Sequence, residues 1–457
     1  MLKLAIVSLL LFLTAVGAEA QCVSACPFIS FEAARPILDA YSSSLPEALG
    51  DARTIDAARW SQWLQAEDRA IRRRLDQGEE DTLSNLLRFG VTYTKEYRIT
   101  DEYLPRYGQS TLVNAFAENR ADDLIRALAS PASNEGFHQM RAFVEKRGQS
   151  LATPAGRARL KKYLLANLAR LRDDFQKAHT EESKHNRSTE FSERGISLDT
   201  NLWPDYDLDV QLRKMMAGGL LAPGSVRRVA IVGPGLDFVN KQDGLDFCPP
   251  QTIQPFAVMD SLVRLGLSDP KTVELATLDI SGNVNAHLER ARIRARAGQP
   301  YVLQLPWFAG GRWSDEFRRD FVEYWRKIGD QLGEPAKAIP VPANVEGVET
   351  RAVRVRPPVV SRITPLDLNI VFQRLTLPPG QAFDLVVCTN IFIYYGEFEQ
   401  SLARANVAAL LKPGGVLITN DKLADKAPAG LELVLTTRIP MTTAPVIAES
   451  IFTYRRH

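Results

Sequence analysis

The chain contains little that could hold a fold together covalently. Its 457 residues include four cysteines, too few for a disulfide-stapled scaffold. The cysteines at 22 and 26 have no histidine nearby, which makes them a poor zinc site. Lysine and arginine number 56 against 54 for aspartate and glutamate, a formal net charge of +2. Nucleic acid is therefore a disfavoured partner, since affinity for a phosphate backbone depends on many basic contacts.

Long apolar runs are also missing, except at the start. Residues 1–20 read MLKLAIVSLLLFLTAVGAEA, with Lys3 before the apolar stretch and the small residues Ala18 and Ala20 near its end. This pattern is typical of a secretory signal peptide cut before Gln21. We therefore expect an exported protein, periplasmic or secreted. The alternative is an uncleaved segment that tethers the chain to a membrane; no other run approaches the length of a bilayer span.

Export would permit a disulfide. Cys22 and Cys26 are close in sequence and could form a local bridge in an oxidising compartment. Cys388 lies within an apolar run and is expected to be an ordinary buried cysteine.

The length suggests two domains. Residues 21–200 read mainly as helix, and the polar stretch around 179–205 indicates a linker. Two stripes of apolar residues recur at helical spacing, namely Trp60, Trp63, Leu64, Ile71 and Leu75, and Leu160, Leu164, Leu168, Leu171 and Phe175. We therefore predict an all-helical domain at 21–200, followed by a second domain at 201–457. The helices could cap a cleft of the second domain or bind a partner.

In the second domain, short apolar runs alternate with helical segments. Strands are predicted at 229–232, 273–278, 383–389, 416–419, 431–437 and 446–454. Such alternation indicates a mostly parallel sheet with helices on both faces, and the last two strands would form an antiparallel hairpin. An insert at about 298–360 carries Trp307, Trp313, Tyr324 and Trp325. These aromatic residues would either form a lid or acceptor wall, or pack the insert's own core.

Two features at the ends of predicted strands indicate a ligand site. The strand at 229–232 runs into Gly233 and Gly235, and glycines let the backbone turn sharply and approach a ligand. A full dinucleotide fingerprint would need a third glycine where Phe238 stands. Asp279 ends the next strand and could accept hydrogen bonds from both hydroxyls of a ribose. Asp279 or Ser281 could also be a helix N-cap, and both roles can coexist.

The C-terminal third carries a more specific pattern. Residues 383–395 read FDLVVCTNIFIYY, and residues 411–419 read LKPGGVLIT after a predicted helix. An Asp-bearing strand, a helix and a Lys-Pro-Gly-Gly turn that opens the next strand resemble the late motifs of class I S-adenosylmethionine-dependent methyltransferases. The segment VVCTNIFIYY is most similar to chemotaxis-receptor methyltransferases. The resemblance covers about 226–457 and skips much of 298–358. It implies a Rossmann-like, doubly wound α/β sheet of seven strands with a terminal antiparallel hairpin.

The resemblance also implies which residues hold the cofactor. Gly233 and Gly235 would line the methionine and ribose part of S-adenosylmethionine. Asp279 would accept hydrogen bonds from the ribose hydroxyls, with Ile280 against the adenine. Two departures weaken the match: Ile231 stands where the family has an acidic residue, and Asp237 stands where it has a third glycine. Asp237 would then take over part of the missing acidic role.

Other residues would contact the adenine edge and the acceptor. Asp367 or Asn369 would reach the exocyclic amine of adenine. Asn390 ends the strand that faces the transferable methyl group, and Tyr394 and Tyr395 follow it toward the substrate side. The implied reaction is methyl transfer to an unidentified acceptor, a small molecule or a protein side chain. It needs alignment more than acid–base groups, because the sulfonium is already a strong electrophile.

Two alternative functions remain open. The export signal conflicts with a cytosolic cofactor, and the glycine motif is incomplete. Together these features suggest a catalytically silent, exported binding protein on the same fold. A nicotinamide-dependent oxidoreductase would share the Gly-x-Gly turn and the strand-end acid. The missing third glycine, the Lys-Pro-Gly-Gly turn and the terminal hairpin argue against that reading.

The signal segment makes a direct prediction. Cells that express the full chain are fractionated, and the exported protein is sequenced from its N-terminus, which we expect to be Gln21. Ala20→Arg should block processing because the cleavage site requires small residues, whereas Glu19→Gln at the neighbouring position should be processed normally. A wild-type chain that begins at Met1 and stays in the cytosol would contradict the prediction.

Overall fold

The computed structural model describes residues 26–132, 134–178, 195–196, 202–236, 246–308, 319–428, 430–440 and 448–457. The signal segment, Cys22, Asp237 and Trp313 lie outside these residues. The signal peptide and the Cys22–Cys26 bridge therefore stay predictions. Among the described helices, none combines the length and the apolar character that a bilayer span requires.

The N-terminal part is helical, as predicted. Its helices are α1 (Phe31–Ala40), α2 (Ala57–Phe89), α3 (Thr111–Ala129), α4 (Glu135–Lys146) and α5 (Pro154–Ala178). Four of these helices begin after an N-cap residue whose polar side chain accepts a hydrogen bond from an N–H of the first turn. The four N-cap residues are Ser30, Asp56, Ser110 and Asn134. These are residue types that favour N-caps because they satisfy a backbone donor that the helix leaves open.

The remaining chain alternates strands and helices. In order, these are α6 (Leu202–Ala217), β1 (Arg228–Val232), α7 (Gln254–Arg264), β2 (Glu274–Asp279), α8 (Gly282–Arg296), β3 (Tyr301–Phe308), α9 (Arg319–Lys327), β4 (Gly333–Ala336), β5 (Val348–Val355), α10 (Pro357–Val360), β6 (Ile363–Asp367), β7 (Phe383–Cys388), α11 (Glu397–Leu410), β8 (Leu411–Thr419), β9 (Leu431–Pro440) and β10 (Ala448–Arg456).

The main sheet confirms the predicted fold class. Its seven strands have the order β6-β2-β1-β7-β8-β10-β9. Pairing is parallel from β6 to β8, and β10 is antiparallel to both β8 and β9. After β1 the chain continues to β2 on one side, and it later returns to β7 on the other. The boundary between β1 and β7 is therefore a topological switch point, where a doubly wound sheet opens a crevice at its carboxyl edge.

The Lys-Pro-Gly-Gly segment lies inside β8 rather than before it. Phe383 pairs with Leu411 and Leu385 with Val416, so residues 412–415 bulge out of the ladder. Between these two positions, Asp384 accepts hydrogen bonds from the backbone N–H groups of Arg227 and Arg228, at 2.7 and 2.8 Å. It also forms an ion pair with Lys412. Asp384 thus holds the starts of β1, β7 and β8 together.

The insert forms a second, antiparallel sheet of order β3-β5-β4. Three of its predicted aromatic residues, Trp307, Tyr324 and Trp325, are buried in the core beneath the main sheet. In the same core, Trp203 of α6 stacks on Phe321 with ring centroids 4.0 Å apart. These contacts argue against an acceptor wall, and they place the aromatic residues in a core shared with the main sheet rather than in a core of the insert's own.

The helical part does not have one core of its own. The end of α2 packs with α3, α4 and α5 in a separate cluster. By contrast, α1 and the first half of α2 share a core with the upper face of the main sheet. There Trp63 contacts Phe372 and Phe398 edge-on, with ring centroids 5.7 and 5.6 Å apart. Secondary structure therefore changes near the predicted boundary at 200, but the hydrophobic core crosses it.

A glycine in the middle of α2 allows another close contact. Ile196 donates its N–H to the carbonyl oxygen of Arg74 at 3.0 Å, which brings the chain at 195–196 against the helix. A Cβ atom at Gly78 would overlap the carbonyl of Ile196. Glycine is therefore required here, although it costs a helix interior up to about 1 kcal/mol relative to alanine.

We predict that Gly78→Ala destabilises the protein by about 1–3 kcal/mol, the usual cost of overpacking. The gain in helix propensity is smaller than the clash with Ile196. Gly282→Ala is the matched control, because no atom lies within 4 Å of its added Cβ. Urea unfolding should show a loss for the first variant and none for the second. Equal stability of both variants would contradict the close contact at Gly78.

Candidate functional site

A largely apolar pocket opens at the carboxyl edge of the main sheet, beside the switch point. It encloses about 520 Å³, part of which is open to solvent. It is lined by Leu75, Ile196, Val232, Gly233, Gly235, Leu278, Asp279, Ile280, Leu368, Asn369, Ile370, Ile391, Tyr394 and Tyr395. These residues follow or end β1, β2, β6 and β7, except for the first two, which come from the helical part. A small-molecule site is expected at this place in a doubly wound sheet.

Gly233 and Gly235 form the floor of the pocket beyond β1. Both have positive φ, +64° and +72°, a backbone region that side chains disfavour. The N–H of Gly233 donates to the carbonyl oxygen of Leu278 at 2.9 Å, which fixes the turn against β2. A Cβ at Gly233 would overlap the side chain of Ile391. The turn therefore requires glycine for both its conformation and its packing.

Asp279 is the charged group of the pocket. It ends β2, is 7% exposed, and its Oδ1 accepts the N–H of Ser281 at 2.7 Å. Burial raises the pKa of the carboxyl to about 7, opposed by hydrogen bonds from the N–H groups of Ser281 and Gly235. Ser281, and not Asp279, is the N-cap of α8, since its Oγ accepts the N–H of Val284. The lone pairs of Asp279 that remain can serve a ligand.

Helix α2 covers the side of the pocket beyond β2 and β6. Arg72 donates to Asp367 at 2.8 Å and to the carbonyl oxygen of Ile280 at 3.2 Å. Asp68, one turn earlier, accepts the side-chain N–H of Asn369 at 2.8 Å and pairs with Arg72. Both predicted adenine-edge residues thus bind α2. Sequence reasoning missed Asp68 and Arg72 because these contacts span about three hundred residues and no local pattern encodes them.

The predicted acceptor residues divide into two groups. Tyr394 and Tyr395 line the pocket, and burial raises the pKa of the Tyr395 hydroxyl. Arg74 of α2 donates to the carbonyl oxygen of Tyr394 at 3.1 Å. Asn390 is exposed and does not line the pocket. It has a positive φ of +58°, and its side-chain oxygen accepts a hydrogen bond from Asn420 at 2.7 Å.

The structure therefore brings most of the predicted site together. Seven predicted residues line one pocket, namely Gly233, Gly235, Asp279, Ile280, Asn369, Tyr394 and Tyr395. Asp367 lies at its edge in the ion pair with Arg72, and Asn390 lies beside it. Asp237 falls outside the described residues. Within the described part of the chain, no group of three or more histidine, cysteine or acidic side chains is arranged to hold a metal ion.

No protein-family model matches the chain, and no curated protein matches it significantly. Solved structures similar to the chain include the N-methyltransferase NodS from Bradyrhizobium japonicum WM9, at 11% identity over 55% of this chain and 96% of that one, with a TM-score of 0.26. Magnesium protoporphyrin IX methyltransferase (ChlM) from Synechocystis PCC 6803, with bound SAM, matches at 13% identity over 55% and 79%, with a TM-score of 0.24.

The glycopeptide N-methyltransferase MtfA, complexed with SAM, matches at 10% identity over 57% of this chain and 96% of that one, with a TM-score of 0.27. All three are methyltransferases. Identities and TM-scores this low carry no argument about the function of this chain. Its fold class rests instead on the order of the strands in its own sheet.

The raised pKa of Asp279 predicts that the free energy of unfolding depends on pH. The native carboxyl has a pKa of about 7, and an unfolded aspartate has one of about 3.9. The native state therefore binds the proton more tightly, so this group stabilises the fold less as pH rises from about 4 to about 7. Asp279→Asn should thus gain stability relative to wild type as the pH rises from about 4 to about 7 in urea unfolding. The exposed Asp269→Asn should show no such change, and a flat difference for Asp279→Asn would contradict the raised pKa of the buried carboxyl.

Proposed function

We propose that the protein transfers a methyl group from S-adenosylmethionine to an acceptor that is not yet identified. The observation that carries this proposal is the pocket at the switch point, where a glycine turn ends β1 and a buried carboxylate ends β2. An apolar slot with one acceptor-only group suits a ligand that combines a flat aromatic ring with a ribose.

The lining residues fit the proposed cofactor part by part. Asp279 would accept hydrogen bonds from the two ribose hydroxyls, and the positive-φ turn at Gly233 and Gly235 would let the methionine part approach the backbone. Ile280 and Ile370 would pack against the faces of the adenine. When bound, S-adenosylmethionine supplies an electrophilic methyl group on a positively charged sulfur.

The adenine edge would meet α2. Asn369 and Asp367 would reach the exocyclic amine, and both are held in place by hydrogen bonds from or to α2. Arg72 and Asp68 therefore position the adenine-edge residues from outside the sheet. This arrangement gives the helical part a function in the proposal, since α2 would cover the adenine side of the pocket.

Tyr394, Tyr395 and Asn390 would orient the acceptor. The tyrosines contribute the wall of the pocket that follows β7, and Asn390 presents an exposed turn at the end of that strand. Their contribution would be alignment of the attacking atom with the methyl carbon and the sulfur, with water kept out by apolar neighbours. The acceptor would release its proton to solvent when its attacking atom takes up the methyl group.

We also propose that the protein works outside the cytosol, either in the periplasm or secreted after cleavage before Gln21. An uncleaved segment would instead tether it to a membrane. The support for this proposal is the sequence of residues 1–20 alone.

Binding of the cofactor tests the function directly. Isothermal titration of the full chain with S-adenosylmethionine should give saturable heat, and millimolar cofactor should raise the melting temperature. Asp279→Ala should weaken binding at least tenfold, because hydrogen bonds to a charged group contribute about 1.5–3 kcal/mol. The exposed Asp425→Ala should bind as wild type does.

Two results would contradict this prediction. Absence of both heat and thermal protection in the wild-type chain would exclude the cofactor. Equal affinity of the Asp279→Ala and wild-type proteins would show that the cofactor binds elsewhere. A chain that binds the cofactor through Asp279 but has no turnover with any acceptor would instead support the catalytically silent alternative.

A further inference from the structure

The segment that follows β7 lies between the ends of two neighbouring strands. Within the main sheet, β7 pairs with β1 on one side and with β8 on the other. All three strands run in the same direction, so the chain leaves each of them at the carboxyl edge. The segment at 390–394 is therefore flanked by the glycine turn after β1 and by Asn420 and Asp421 after β8.

Asn420 holds Asn390 with both ends of its side-chain amide. Its oxygen accepts the backbone N–H of Asn390 at 2.8 Å, and its nitrogen donates to the side-chain oxygen of Asn390 at 2.7 Å. The same nitrogen also donates to Glu449 of β10 at 3.1 Å. Since an amide nitrogen carries two hydrogens, these contacts fix which way the amide of Asn420 faces.

The backbone of Asn390 requires such a restraint. Its φ of +58° lies in the left-handed region, which residues other than glycine adopt rarely, although asparagine tolerates it better than most. Conformations of this kind persist where the surrounding structure holds them, and they cluster at ligand sites. The paired hydrogen bonds with Asn420 hold Asn390 in this conformation.

Asp421 holds the next part of the segment. Its Oδ2 accepts the backbone N–H of Phe392 at 3.1 Å, and its own N–H donates to the hydroxyl of Thr419 at 3.1 Å. From α11, Gln400 donates to the carbonyl oxygens of Phe392 and Tyr395, at 3.1 and 3.0 Å. Side chains from the end of β8 and from α11 thus pair with backbone groups of this irregular segment, as buried backbone groups require.

The segment carries two side chains of the pocket. Ile391 and Tyr394 both line it. The Cβ that Gly233 lacks would overlap the side chain of Ile391, so Ile391 lies directly against the glycine turn. In the proposed function this turn receives the methionine part of the cofactor, whereas Asp279 receives the ribose. A shift of the segment would therefore alter the methionine end of the pocket and leave the nucleoside end as it is.

We propose that Asn420 and Asp421 are positioning residues for the methionine end of the pocket. They hold the segment at 390–394 so that Ile391 confines the methionine part of S-adenosylmethionine against the glycine turn. Neither of the two side chains lines the pocket, so each acts through the backbone that it holds. The inference rests on the proposed function, because it concerns the cofactor proposed there.

Two ligands distinguish positioning from a general loss of structure. S-adenosylmethionine contains the methionine part, and adenosine lacks it. Each is titrated into the full chain by isothermal calorimetry. Asn420→Ala and Asp421→Ala should weaken S-adenosylmethionine about fivefold or more, the effect of roughly one hydrogen bond, and leave the affinity for adenosine unchanged. A variant that had only lost structure would weaken both ligands alike.

Two further variants are the controls. Asp421→Asn keeps a side-chain oxygen that can accept the N–H of Phe392, so it should bind S-adenosylmethionine more tightly than Asp421→Ala does. Lys422→Ala changes an exposed neighbour and should bind both ligands as wild type does. The inference is overturned by equal loss of both ligands, by undiminished binding of S-adenosylmethionine in both alanine variants, or by equal affinities of Asp421→Asn and Asp421→Ala.

Hydrogen exchange of the ligand-free chain separates this inference from the proposed function. Asn420→Ala and Asp421→Ala should speed amide exchange in the peptide that covers 389–396 and not in the peptide that covers β2. Unchanged exchange at 389–396 would overturn the positioning role whether or not the cofactor binds. A wild-type chain that binds neither ligand contradicts the proposed function and overturns the role toward the methionine part. A wild-type chain that binds both ligands, with variants that weaken both equally, overturns this inference alone.

Discussion

The pairing of β1 with both β2 and β7 is the constraint on which the rest of the structure depends. These three strands are parallel, and the chain leaves β1 toward one side and returns on the other. No connection can then cover the carboxyl end of β1, so a crevice remains there. Asp384 reinforces this arrangement at the opposite edge, where it binds the backbone at the start of β1 and the side chain of Lys412 in β8.

Helix α2 covers one side of the crevice and narrows it to a pocket that stays partly open to solvent. A helix of 33 residues is about 50 Å long at 1.5 Å per residue, enough to pack on the sheet with its first half and join the helical cluster with its second. The tryptophans of its first half bury apolar surface against the sheet. Asp68 and Arg72 are then held beside Asn369 and Asp367. One element therefore connects the stability of the fold with the shape of the site.

Buried acids at the carboxyl edge carry the electrostatic character of the molecule. Asp279 and Asp421 both have pKa values raised mainly by burial. Desolvated carboxyls are unfavourable for folding and are found where a ligand can stabilise them. Asp279 ends β2, and Asp421 follows the end of β8 at the same edge of the sheet.

Local pattern alone predicted six of the seven strands of the main sheet, the glycine turn and the residue at the end of β2. It did not predict β6 or the three strands of the insert. A run such as VAIVGPG encodes a strand that ends in a positive-φ turn, whatever surrounds it. The sequence also predicted the reversed hairpin, because β9 and β10 follow each other with no helix between them. Only the tertiary structure decided that Asn390 lies beside the pocket, that the insert's described aromatic residues pack in the core, and that Asp68 and Arg72 reach the carboxyl edge. Those placements depend on contacts between distant segments, and such contacts leave no periodic trace in the sequence.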